Sequence, residues 1–223
     1  MNIFSSDNFL GKFMNWIGNL VIINVLYIIC SLPIFTIGAS TTALYYSMMK
    51  YIRRDEGYVH TNFLRSFKEN FKQSTIIWLI MSLVGFIIFL DLRIGMTFNG
   101  IEGGSIAGKC MIISSTILLI PYLFILLYIF PVQAKFVNPI KKNMLNSLLM
   151  ATAHFGYTLL IILFIATFAL LVLTSKAFIG LGIFCGFSLF AYITGNIYIF
   201  VFRKHLPDEF EDDLEARGEK KEI

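Results

Sequence analysis

Long apolar runs make up most of this chain, cut at intervals by short segments that carry charge, proline or glycine. A helix needs about 20 apolar residues to cross the hydrocarbon core of a bilayer. Residues 16–30 form a run that extends back through Phe13. Residues 74–90 are 17 positions without a charge, 110–130 are 21 with Pro121 in the middle, and 178–202 are 25. A fifth run, 147–174, carries Thr152, His154 and Tyr157 in its first third and is then almost wholly aliphatic or aromatic. Five membrane spans are predicted on length alone.

A sixth depends on residues 35–51, FTIGASTTALYYSMMKY, which hold no charge before Lys50. Pro33 ends the first helix, because it lacks an N–H donor and restricts the residue before it. Beyond it Ala39, Ala43 and Ser47 recur at i, i+4 and i+8. Small residues at that spacing let helix backbones approach closely in lipid. The segment reads as a short second span, for six in all. The alternative is five spans plus an interfacial helix.

Composition agrees. Hydrophobic residues are 57% of the 223 and charged ones 14%, with a mean hydropathy of +0.75. A soluble domain carries roughly 25% charged residues. Of the 18 basic and 14 acidic side chains, 13 lie in residues 203–223. The expected fold is therefore an all-α polytopic transmembrane bundle over residues 1–202, followed by a polar tail over 203–223. The basic residues sit in short loops, so the net charge of +4 is no nucleic-acid footprint. Cys30, Cys110 and Cys185 are scattered and form no CxxC pair.

Six spans put 15 of the 18 Lys and Arg residues on one side, leaving Arg93, Lys109 and Lys176 on the other. Such bias marks the cytoplasmic face. Both termini are then inside and the protein is a multi-pass component of the cell membrane. Five spans would move only Lys12 across.

Between the second and third spans, Thr61 is placed to cap a helix. Phe63, Phe67 and Phe71 follow at i+4 spacing, with Arg65, Lys68 and Lys72 on the other faces. This predicts an inner amphipathic helix near residues 61–73, lying on the membrane surface with its phenylalanines among the acyl chains. Residues 91–109, with Asn99, Gly100, Gly103 and Gly104, read as an outer loop.

A search for chemistry returns little. An ionisable residue inside a membrane is a functional hypothesis by default. None of the five clear runs holds Asp, Glu, Lys or Arg in its interior, and Asp91 and Arg93 read as lying just past one end. His154 is the one imidazole inside a run, a weak polar candidate. No HExxH, GxSxG or Walker loop occurs. No catalytic residue, metal ligand or cofactor site is expected. Gly182 and Gly186 form a GxxxG, a helix-packing or partner face together with Ala39, Ala43 and Ser47. Asn24 and Asn196 are expected to hydrogen-bond between helices.

Two stretches resemble a known family. Residues 19–59 contain NLVIINVLYIICSLPIFTIGASTTALYY and then EGY, and residues 63–75 read FLRSFKENFKQST. Together they resemble the YesL family, small bacterial integral membrane proteins of unknown function. Ala39 follows TIG where many members carry proline. The resemblance implies a gene neighbourhood of carbohydrate ABC-transporter components, sugar-binding proteins and two-component regulators. It supplies no catalytic residue.

The expected function is thus a non-enzymatic accessory component of a carbohydrate ABC uptake or sensing system. Its partners would be the bilayer and an ABC sugar permease or sensor, with self-association left open. The alternative is a small transporter or channel for a neutral solute such as a sugar. The sequence names neither solute nor partner.

Overall fold

The computed structural model describes residues 9–53, 57–100, 105–174, 180 and 182–204, and among them every regular element is helical. Helix α1 (Phe9–Ser31) leads through a 3-10 turn (Ile34–Thr36) into α2 (Ile37–Arg53). Then come α3 (Val59–Gly100), α4 (Ile106–Lys135), α5 (Ile140–Ala153) and α6 (Phe155–Thr174). A π-helical turn (Gly182–Gly186) opens α7 (Phe187–Arg203). Five helical stretches are long and apolar enough to cross a membrane: Leu10–Ser31, Val59–Gly100, Ile106–Lys135, Phe155–Thr174 and Gly182–Arg203. Each overlaps one of the five clear runs of the sequence, with shifted ends. Leu83, Ile117 and Leu163 each expose about three-fifths of their surface, as lipid-facing side chains do.

The sixth segment is a helix packed inside the bundle. Helix α2 has 17 residues, about 26 Å, slightly short of the hydrocarbon core. Ten of those residues are buried, so α2 is the core around which α3, α4 and α7 pack. Beside it three tyrosines meet edge to face, Tyr45 with Tyr198 at 5.5 Å and Tyr128 with Tyr198 at 5.2 Å. Their hydroxyls are occupied: Tyr128 pairs with Thr158 at 3.0 Å, Tyr198 donates to the Leu127 carbonyl at 2.8 Å, and Tyr45 accepts from Thr194 at 3.4 Å.

Several expected boundaries move. No separate surface helix forms at 61–73; that segment is the first third of α3, which runs unbroken for 42 residues, about 63 Å. Residues 59–74 contain no glycine or proline, so the change from charged to apolar composition ends nothing. Thr61 lies inside the helix rather than capping it. Phe63 is fully buried against the protein core, Phe67 is half-buried, and only Phe71 faces outward.

The outer loop also shrinks. Helix α3 continues to Gly100 and α4 begins at Ile106; residues 101–104, with Gly103 and Gly104, lie outside the described set. Helix α4 passes through both Pro121 and Pro131. The run 147–174, read as one span, is interrupted at His154, whose φ of −113° and ψ of 45° leave the helical region. The last run is a π turn at 182–186 before it becomes regular helix. Of the polar tail, only Arg203 and Lys204 are described.

Candidate functional site

The CSLP and TIG residues close the turn between α1 and α2. Pro33 lacks the N–H that would continue α1, which leaves carbonyls at the helix end without intrahelical partners. Thr36 answers them: its hydroxyl lies 2.6 Å from the Cys30 carbonyl and 2.6 Å from the Pro33 carbonyl. Trp78 of α3 reaches across to donate its indole N–H to the Ile34 carbonyl at 2.9 Å. Two residues after Thr36, Gly38 brings the α2 backbone against α3. A Cβ built there would stand 2.5 Å from the Ser74 carbonyl oxygen and 2.6 Å from the Trp78 Cβ. One turn on, the Thr42 and Ser74 hydroxyls pair at 2.9 Å. These residues, not charged ones, give the motif its physical meaning.

Ala39, Ala43 and Ser47 are each 0% exposed. They serve packing within the chain, and no outside partner reaches them. Of the two roles expected for them, helix packing or a partner face, their burial fits the first. The small residues that set the α2–α3 distance are Gly38 and Ser74, which sequence reasoning passed over. The Gly of TIG could have signalled it.

Gly182 and Gly186 do not form a packing stripe on a continuous helix, because they bracket the π turn. Gly186 is buried, whereas a Cβ on Gly182 would meet nothing within 4 Å. Asn24 of α1 holds this turn, as an interhelical bond from Asn24 was expected to do. Its side-chain N–H donates to the Ile183 carbonyl at 2.7 Å, and its Oδ1 accepts the N–H groups of Phe187 at 3.0 Å and Ser188 at 3.1 Å. One buried amide thus satisfies backbone groups that lipid could not. Asn196 instead donates to Tyr192, within its own helix. Beside the turn an apolar cleft of about 290 Å³ is lined by Phe168, Ala169 and Val172 of α6 with Gly182, Ile183 and Phe187.

At the end of α4 where the lysines gather, a buried amide clamp joins three helices. Asn143 of α5 donates to Gln133 of α4 at 2.6 Å, and Gln133 donates to Asn70 of α3 at 3.2 Å. Gln73 donates to the Asn138 carbonyl in the α4–α5 connection at 2.6 Å. Arg65, Lys68 and Lys72 lie on the exposed side of this stretch of α3, and Arg65 pairs with Glu69 at 2.9 Å.

Asp91 and Arg93 are inside α3, not past its end. Asp91 is half-buried and accepts a hydrogen bond from Ser115 of α4. The composition of 91–109 hid this, since the helix continues through Asn99 and Gly100. His154 is half-buried at the α5–α6 break, its ring 6.3 Å from that of Tyr157. There Thr158 mends the break, its hydroxyl donating to the Ala151 carbonyl at 2.8 Å. Among the described residues, no three of His, Cys, Asp and Glu gather where a metal could sit.

The second half of α1, the turn, α2 and the first four-fifths of α3 are also where the chain matches a family model. Residues 20–92 match the family described as "Protein of unknown function, DUF624". Two uncharacterized proteins of Bacillus subtilis (strain 168) extend the likeness. YteU is 29% identical over 175 residues, 74% of this chain and 75% of the relative. YesL is 27% identical over 162 residues, 71% of this chain and 74% of the relative. The chain is similar to both over about seven-tenths of its length. No solved structure matches it. The matched segment contains Asn24, Thr36, Gly38, Thr42, Ser74 and Trp78, the residues that bind α1, α2 and α3 to one another and to the π turn.

Proposed function

We propose that this protein, similar to YesL, is a non-enzymatic accessory component of a carbohydrate uptake or sensing complex in the cell membrane, with both termini cytoplasmic. An ABC sugar permease or its sensor is the partner, as the gene neighbourhood implied by the resemblance suggests. The observation that carries the reading is the cleft between α6 and the π turn. It is apolar, it is lined by the small residues Ala169 and Gly182, and a Cβ on Gly182 would meet nothing within 4 Å among the described residues. Small residues of that kind receive a neighbouring helix in lipid. The partner's transmembrane helix is the occupant.

The buried polar groups support a packing role over a conducting one. Tyr45, Tyr128, Tyr198, Thr158, Thr194, Gln133 and Asn70 bond one another or backbone instead of lining an open path. The test is a mild-detergent pull-down of the tagged protein from native membranes, with bound proteins identified by mass spectrometry. A stoichiometric permease or sensor kinase is expected. A clean homo-oligomer that passes sugars across liposomes without ATP would overturn the reading in favour of a transporter.

A further inference from the structure

Helix α5 turns apolar side chains outward as well as inward. Its buried face is polar at Asn143 and Ser147, both 0% exposed, with Asn143 tied to Gln133 by the amide clamp, and apolar further on at Met150 and Ala151. Its outer face carries Leu145 at 55% and Leu149 at 54% exposure. An amphipathic helix in water turns its leucines inward. Two outward leucines on one stripe fit apolar surroundings. Yet α5 has 14 residues, about 21 Å, too few to span a bilayer.

The charges show where along the bilayer normal it lies. Lys141 and Lys142, both exposed, occupy the first turn, and Lys141, Leu145 and Leu149 fall at i, i+4 and i+8 on one stripe. The connection before them ends in a fully exposed Val137 and an exposed Pro139. The Gln73–Asn138 bond brings α3 beside this connection, with the exposed Lys72 next in sequence to Gln73. The two lysines therefore precede the first of two outward leucines by one helical turn, about 5–6 Å along the axis.

We infer that the outer face of α5 is a binding site for an anionic phospholipid, with Lys141 and Lys142 on the phosphate and Leu145 and Leu149 along the acyl chain. Basic residues at a membrane surface favour acidic headgroups, and leucines one and two turns deeper require a chain attached to them. An acidic protein segment would match the lysines but leave the leucines uncovered. The inference does not depend on the partner at the α6 cleft, which lies on other elements.

The test is native mass spectrometry of the full-length protein released from nanodiscs of phosphatidylglycerol and phosphatidylcholine in equal amounts. The wild type should retain phosphatidylglycerol preferentially. A K141Q/K142Q variant should lose roughly tenfold or more of that preference, at about 1 kcal/mol per lysine. K141R/K142R should keep it, which separates lost charge from lost folding. K109Q, at the far end of α4, should leave it unchanged. Equal retention of the two lipids by the wild type, or undiminished preference in K141Q/K142Q, would overturn the inference.

Discussion

Gly38 of α2 faces Ser74 of α3 so closely that a methyl group at position 38 would stand 2.5 Å from the Ser74 carbonyl oxygen. The obstacle is backbone, which cannot swing aside as the end of a long side chain can. The Thr42–Ser74 hydroxyl pair one turn away keeps the two helices at this distance. Gly38→Ala is therefore expected to destabilise the protein by about 1–3 kcal/mol, the range for overpacking a close-packed site. Reversible unfolding in mixed micelles with increasing denaturing detergent measures it. Gly182→Ala, where a Cβ meets nothing within 4 Å, should leave stability within error.

Asn24 supports the π turn through one donated and two accepted hydrogen bonds. Asn24→Leu strands a carbonyl and two N–H groups in an apolar setting, each worth about 1–3 kcal/mol when left unsatisfied. Hydrogen–deuterium exchange at Phe187 and Ser188 should accelerate sharply in this variant. The rest of α7 should exchange as before.

The amide clamp allows a coupling measurement. Gln133 stands between Asn70 and Asn143, so Gln133→Leu and Asn143→Leu remove the same contact. The two losses should be strongly non-additive, with a coupling of about 0.5–3 kcal/mol in a double-mutant cycle. Simple additivity would show that the amides act independently.

At the α5–α6 break, the Thr158 hydroxyl contacts both the Ala151 carbonyl and the Tyr128 hydroxyl. Thr158→Val should cost about 1–2 kcal/mol, and Tyr128→Phe less, since only the second leaves the Ala151 bond intact. His154→Ala should change little, because the break is held by Thr158 and by backbone bonds. Comparing melting temperatures of the three variants in one detergent decides the order.

The helical character and the five long runs were legible because lipid admits few alternatives and charge-free stretches of 17 or more residues are unmistakable. Breaks were not. Residues 72–74 mark a sharp change from charged to apolar, but nothing there stops a helix, so α3 continues. At His154 no proline announces the interruption, and nothing in the sequence marks Thr158 as the residue that bonds across it to Ala151 and to Tyr128, 30 residues away. The small-residue face at Ala39, Ala43 and Ser47 was visible from spacing alone. That its packing is internal follows from what surrounds α2, which spacing does not encode. The amide clamp was missed because Asn70, Gln133 and Asn143 lie far apart in sequence and resemble ordinary polar ends of spans.

The central claim is that a partner helix occupies the cleft lined by Ala169, Val172 and Gly182. Site-specific photo-crosslinking in native membranes tests it most directly, with the reactive group placed at Val172 and, for comparison, at the lipid-facing Leu83 of α3. The account predicts one defined crosslinked product from Val172, identified as a permease or sensor subunit, weakened by Gly182→Leu and absent from Leu83. Crosslinking to lipid alone from both positions would contradict it.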